Sequence, residues 1–125
     1  RGVFLKTLLI VDDEADIREV IKDTLMNLDL QIDEAENGLE AKKLLETKTY
    51  DAILSDVNMP KMNGIEFVRA AKALPAYRFL PILMLTTENQ ESKKEEGKAA
   101  GAKAWMLKPF TPSALLNAVS KLCLP

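Results

Sequence analysis

The sequence predicts an α/β fold: a doubly wound, (βα)5 sheet of five parallel strands with helices on both faces. Three observations predict it. Apolar runs open near Leu8, Leu30, Ala52, Ile82 and Ala104, at spacings of 22, 22, 30 and 22 residues, each enough for one strand and one helix. Three of those runs, Leu8 to Val11, Ala52 to Leu54 and Ile82 to Leu85, are continuous, as in strands covered on both faces. Finally, 125 residues with 47% apolar and 29% charged side chains can bury one core but leave no room for a second domain.

The elements follow in order. Strand 1 is Leu8 to Val11, and Ile17, Val20, Ile21, Leu25 and Leu28 form one helical stripe after it. Leu30 to Ala35 alternates, as an edge strand does, and Leu39, Leu44 and Leu45 mark helix 2. Strand 3 opens at Ala52, and Ile65, Phe67, Val68 and Leu74 mark helix 3 before strand 4 at Ile82. Residues 89 to 98 carry no apolar side chain, and Gly97 costs about 1 kcal/mol relative to Ala in a helix interior. A fourth helix there is marginal, and reads as a solvated face or as a mobile, switchable element. Strand 5 opens at Ala104. Thr111-Pro112 then sets a capping hydroxyl before a proline at the first position of helix 5, whose stripe is Leu115, Leu116, Val119 and Leu122. The whole of 1–125 is expected to be one domain without an output domain after helix 5, with residues 1–5 a flexible or expression-derived start that carries no weight.

Composition removes whole classes of chemistry. Histidine is absent and Cys123 is the only cysteine, which excludes Ser-His-Asp and Cys-His catalysis, histidine metal sites, zinc ribbons and internal disulfides. A reducing compartment, the cytoplasm, is the simpler expectation. Net charge is -2, yet residues 1–60 hold 14 acidic against 7 basic side chains and residues 61–125 hold 5 against 10. An acidic first half suits a cation site, and the lack of one clustered basic face argues against nucleic acid. No apolar run approaches the roughly 20 residues of a membrane span, so no membrane association is expected.

The remaining chemistry gathers at strand ends. Asp12 and Asp13 follow strand 1, and Asp56 ends strand 3. Ligands of parallel sheets sit beyond the carboxyl ends of strands where strand order reverses, and right-handed crossovers favour the order 2-1-3-4-5, with strands 1 and 3 adjacent. Three converging carboxylates repel unless a cation neutralises them, and an oxygen-only ligand set selects a hard ion, Mg2+ before Ca2+. The plainer reading of Asp12 and Asp13 is capping of helix 1. Asp56, closing a buried run, has no such reading. Strand 4 ends in Thr86-Thr87 and strand 5 in Lys108-Pro109-Phe110, which adds a hydroxyl and an ammonium to the same rim. Singly, these are an ordinary strand threonine and a snorkelling lysine. Together with the acids they provide a nucleophile, a cation site and donors for phosphoryl oxygens, as phosphoryl transfer to a carboxylate requires.

At the level of motifs, Val11-Asp12-Asp13-Glu14, Leu54-Ser55-Asp56-Val57-Asn58-Met59-Pro60, Met62-Asn63-Gly64, Leu80 to Thr86 and Lys108-Pro109-Phe110-Thr111 resemble the response-regulator receiver domain, single-domain CheY-like type, over essentially Lys6 to Leu122. The resemblance implies a flavodoxin-like fold with the same strand order, so the two readings of that order are not independent. It implies that Asp56 is the phosphoacceptor, that Asp13, Asp56 and the Asn58 backbone carbonyl ligate Mg2+, and that Asp12 helps through water. Thr86 and Lys108 would hold phosphoryl oxygens, and Lys108-Pro109 would be cis. Asn58 and Glu88 occupy positions that tune hydrolysis in the family. Thr86 and Trp105 would form a switch, although Trp105 stands where the family most often has a smaller aromatic, and Thr87 where a small residue is common.

The implied function is a receiver that accepts a phosphoryl group from a sensor histidine kinase and switches a partner-binding surface on helix 4, strand 5 and helix 5. It would be a monomer and no enzyme beyond promoting its own phosphorylation and dephosphorylation. Its target would lie in chemotaxis, with the flagellar motor switch as the candidate. Alternatives are a phosphorelay intermediate or a module of a larger regulator and, in another class, a haloacid-dehalogenase-like aspartyl-phosphate hydrolase, whose Asp-x-Asp after strand 1 does not match Asp12-Asp13-Glu14.

Overall fold

The computed structural model describes residues 6–87 and 91–123. Its elements alternate strictly: β1 (Lys6–Val11), α1 (Ala15–Thr24), β2 (Leu30–Ala35), α2 (Gly38–Thr47), β3 (Ala52–Asp56), α3 (Gly64–Lys72), a 3-10 turn (Pro75–Tyr77), β4 (Ile82–Thr86), α4 (Glu91–Ala100), β5 (Ala104–Leu107) and α5 (Pro112–Cys123). All strand pairs are parallel and the order is β2-β1-β3-β4-β5, as expected.

The continuous apolar strands divide their side chains by parity. Leu9, Val11, Ile53, Ile82 and Met84 face a core closed by Ala41, Leu45, Ile65, Phe67 and Val68 of α2 and α3. Leu8, Ile10, Leu54, Leu83 and Leu85 face the opposite core, closed by Ile21, Leu115 and Val119 of α1 and α5. β1, β3 and β4, buried on both sides, therefore hold their carboxyl ends at one rigid rim.

Helix starts follow side-chain chemistry. Asn63 and Glu66 form a reciprocal capping box on α3, with bonds of 2.9 and 3.0 Å. Asn37 Oδ1 accepts the Glu40 N–H at 2.9 Å on α2, and Thr111 Oγ1 accepts the Ala114 N–H at 3.1 Å on α5.

Some apolar stripes reach beyond the core. Val20 is 48% exposed, and Leu39 and Leu116 are exposed as well, while α1 ends at Thr24 so that Leu25 packs from its C-cap. The marginal fourth segment is helical from Glu91, and Gly97 is the one buried residue among its described side chains. A Cβ at position 97 would lie 2.6 Å from Trp105 Cζ3, so the glycine admits the indole against the helix backbone. Among the described residues, no helix is long and apolar enough to cross a membrane.

Candidate active site

The rim assembles from strand ends. Asp12 follows β1 and is fully buried, Asp56 is the last residue of β3 and 6% exposed, and Thr86 closes β4, also buried. Asp13, next to Asp12, is exposed. One carboxylate oxygen from each of Asp12, Asp13 and Asp56 lies within 4.8 Å of the others. Lys108, just past β5, turns back over this group: its Nζ donates to Asp12 Oδ2 at 2.8 Å and stands 3.5 Å from Asp56 Oδ1. Its own N–H donates to the Thr86 carbonyl at 2.7 Å, which ties the fourth and fifth strand ends together. The Lys108-Pro109 peptide is cis.

Electrostatics follow from crowding three acids around one cation. Burial pushes the Asp56 carboxyl up to about 6, and Asp12 and Asp13 add to this. Lys108 and the Val57 N–H, which donates to Asp56 Oδ1 at 2.9 Å, offset only part of the rise. For Lys108, burial works against the charged form, but Asp12 and Asp56 outweigh it and hold the ammonium above the ordinary lysine range. The cluster is thus underneutralised, the condition under which a small divalent cation binds.

The capping reading of Asp12 is met in part. Its Oδ1 accepts the Glu14 N–H at 2.9 Å, but the α1 N-cap is Glu14, which makes no side-chain cap bond. Asn58 is exposed in the loop after β3, and its Oδ1 accepts from Lys93 Nζ at 3.1 Å. Trp105, on β5 beside β4, is half-buried and packs on the α2/α3 core. Glu88 lies outside the described residues.

Three contributors escaped sequence reasoning. Arg18 Nη1 donates to the Asp12 carbonyl at 2.6 Å and its Nε to Glu34 Oε1 at 2.9 Å, which anchors the turn carrying Asp12 and Asp13 to β2. One arginine on a charged helix face gives no sequence signal for this. Gly64 is required by contact, because a Cβ there would lie 2.0 Å from the Asp56 carbonyl oxygen. The glycine lets the first turn of α3 close on the end of β3, where its N–H donates to the Val57 carbonyl at 2.8 Å. Lys93 is the third, hidden within a run of solvent-facing charges.

Comparison with known proteins agrees with this geometry. A sequence model of the response regulator receiver domain matches residues 8–120. A chemotaxis protein CheY homolog of Campylobacter jejuni is 42% identical over 111 residues, covering 86% of this chain and 85% of that protein. The structure of the Vibrio cholerae chemotaxis response regulator CheY4 superposes with a TM-score of 0.90 at 43% identity, covering 95% and 99% of the two chains. The receiver domain of a Pseudomonas aeruginosa sensor histidine kinase, described with a magnesium ion coordinated in its active site cleft, superposes with a TM-score of 0.87 at 27% identity, covering 96% and 98%. The chain belongs to the response regulator receiver domain family, as a phosphorylatable response regulator closely related to the CheY chemotaxis proteins.

Proposed function

We propose that Asp56 is the phosphoacceptor, that Asp12, Asp13, Asp56 and the Asn58 backbone carbonyl hold Mg2+, and that Thr86 and Lys108 receive the phosphoryl oxygens. The observation that carries this reading is the convergence of three carboxylates within 4.8 Å under one lysine, at the ends of adjacent buried strands. Hard oxygen donors of excess negative charge fit Mg2+, and no nitrogen or sulfur ligand competes. When bound, Mg2+ supplies the charge that offsets the phosphoryl oxygens and the neighbouring carboxylates.

The chain's own residues do the rest. An Asp56 carboxylate oxygen forms a bond to phosphorus as the bond from phosphorus to the donor breaks. With a kinase phosphohistidine as donor, the bonding pair returns to the imidazole, which takes up a proton. A chain without histidine cannot supply that donor itself. Lys108, which pairs with Asp12 and Asp56 before transfer, is within reach of the new anion, and the Thr86 hydroxyl at the next strand end is a second donor. Thr86 closes β4, a strand fixed by two cores, and Lys108 follows β5 with its N–H on the Thr86 carbonyl, so both are held at the rim.

Signalling follows from coupling this rim to α4, β5 and α5, with Thr86 and Trp105 as the link and Asn58 and Glu88 setting how long the phosphoryl group lasts. The similarity to CheY proteins supports a cytoplasmic role in chemotaxis, with a sensor kinase as donor and a target such as the flagellar motor switch. The hydrolase alternative is not favoured. Incubation with Mg2+ and a small acyl phosphate tests the reading: intact-mass analysis should find one added phosphoryl group in wild type and none in Asp56→Asn or without metal. Full labelling of Asp56→Asn overturns the assignment.

A further inference from the structure

The turn after β1 carries two of the three acids, and one of them is held far better than the other. Asp12 is fully buried, its Oδ1 accepts the Glu14 N–H at 2.9 Å and its Oδ2 accepts Lys108 Nζ at 2.8 Å. Asp13 is exposed, and its carboxylate accepts no hydrogen bond from any described residue. Its direction is therefore set by its backbone. The Asp12 carbonyl lies in the peptide plane that joins the two acids, and a peptide unit is rigid from one Cα to the next. Arg18 Nη1 donates to that carbonyl at 2.6 Å while its Nε donates to Glu34 Oε1 at 2.9 Å, so one planar guanidinium ties the plane to β2. β2 pairs with β1, Glu34 lying opposite Ile10, and Glu34 also accepts from Lys22 Nζ at 2.8 Å. The Arg18 side chain is only 13% exposed, so this brace is largely withdrawn from water. Rotating the plane would break a charge-assisted bond and swing the Asp13 carboxylate away from the cluster it forms with Asp12 and Asp56.

We infer that Arg18 is a positioning residue for the divalent cation: by fixing the Asp12–Asp13 peptide plane it presets the Asp13 carboxylate, and it thereby favours Mg2+ over Ca2+. The inference deepens the proposed Mg2+ site and rests on it. Mg2+ demands near-ideal octahedral geometry at short range, whereas Ca2+ accepts more oxygens in looser arrangements. An Asp13 carboxylate that wanders therefore costs the smaller ion more than the larger. Coulomb's law alone gives the opposite result. A guanidinium beside a cation site repels the cation, so removing it would tighten the binding of both ions alike. The sign of the change, and its difference between the two ions, separate positioning from charge.

The test is titration calorimetry on the full chain with each metal alone and no phosphodonor, after circular dichroism has shown that each variant is folded. Arg18→Met keeps an apolar stem without the donors. It should raise the Mg2+ dissociation constant about tenfold, the lower end of what loss of an outer-shell partner costs, and the Ca2+ constant by no more than about threefold. Arg18→Lys keeps a cation beside Glu34 but loses the fork. It should show the same preferential loss at about two- to fourfold for Mg2+, which tests the inference even if the methionine variant does not fold. Unchanged or tighter Mg2+ binding in the folded variants, or an equal loss of Mg2+ and Ca2+, overturns the inference while the Mg2+ site stands. Mg2+ binding in Asp13→Ala as tight as in wild type overturns the site itself, and this inference with it.

Discussion

Replacing Asp56 with Asn removes a charge that burial and two neighbouring acids disfavour, and the consequence for stability can be worked through. The carboxyl ordinarily titrates at 3.8 and is raised to about 6 in the fold, burial being the largest cause and Asp12 and Asp13 adding to it. That difference corresponds to about 3 kcal/mol at neutral pH, since tenfold in an equilibrium is about 1.4 kcal/mol. This is a ceiling, because the rim is partly wet and screening lowers it. The isosteric amide can still accept the Val57 N–H, and Lys108 keeps its shorter contact to Asp12. The expected gain for metal-free Asp56→Asn near pH 8 is therefore about 1–3 kcal/mol, or up to about 10 °C in melting temperature for a domain of this size.

The pH dependence separates this cause from any other. Between 3.8 and about 6 the folded wild type holds more protons on Asp56 than the unfolded chain does, so rising pH lowers its stability through this group. Above that window the loss is complete. Below it both states are protonated and the loss vanishes. Asn does not titrate, so the gap between variant and wild type should open from pH 4 to pH 7 and then stay level. Thermal melts in chelator across that range provide the measurement. Added Mg2+ should then close the gap from the wild-type side, since a ligand that binds only the native state stabilises it by mass action. A gap that is equal at pH 4 and pH 8, or a variant less stable than wild type at pH 8, refutes the reasoning.

Other substitutions probe the neighbours. Asp13→Ala should melt above wild type without metal and lose the Mg2+-dependent rise, and a full rise retained in melts would remove Asp13 from the site. Gly64→Ala sets a methyl 2.0 Å from the Asp56 carbonyl oxygen, a backbone atom that cannot yield, so denaturant unfolding should show a loss of about 3 kcal/mol or more. Gly97→Ala sets opposing effects against each other: about 1 kcal/mol of helix propensity gained against a methyl 2.6 Å from the indole. The clash should win, with Trp105 emission moving to longer wavelength. Phosphorylation of wild type should shift that emission to shorter wavelength, and Thr86→Ala should abolish the shift; identical spectra at full labelling would dissociate Trp105 from the site.

What the sequence discloses depends on how local the physical rule is. Continuous apolar runs and the spacing between them report strands and crossovers, because strands buried on both faces and separated by helix-length intervals suit a parallel sheet, and all five strands open within two residues of the places those runs predict. Caps are local as well, and Thr111 caps α5 as its sequence implies. Helix stripes are less secure. Val20 shares the spacing of Ile21 yet remains half-exposed, because spacing defines a face but not how far the neighbouring helix covers it. At the site, Asp12, Asp13, Asp56, Thr86 and Lys108 are legible as strand-end residues. The roles of Arg18, Lys93 and Gly64 depend on contacts with other elements, and nothing in the identity of a single arginine, lysine or glycine announces them.

Gly97 shows why such contacts stay hidden. Read along the chain, it weakens a helix that has no apolar anchor. Read across the fold, it is the notch that admits a tryptophan from β5, and the two residues make sense only as a pair. The larger aromatic at position 105 is thereby matched by the smallest residue facing it, so the bulk of the indole is absorbed by α4 instead of the sheet. Ala100 packs α4 on the α2/α3 core, and beside it the helix makes two contacts that reach other elements, Gly97 on Trp105 and Lys93 on Asn58. The two contacts lie on different sides of the helix's task. One reaches the loop after β3 through Asn58 and the other reaches β5 through Trp105, four residues apart on the same ten-residue helix.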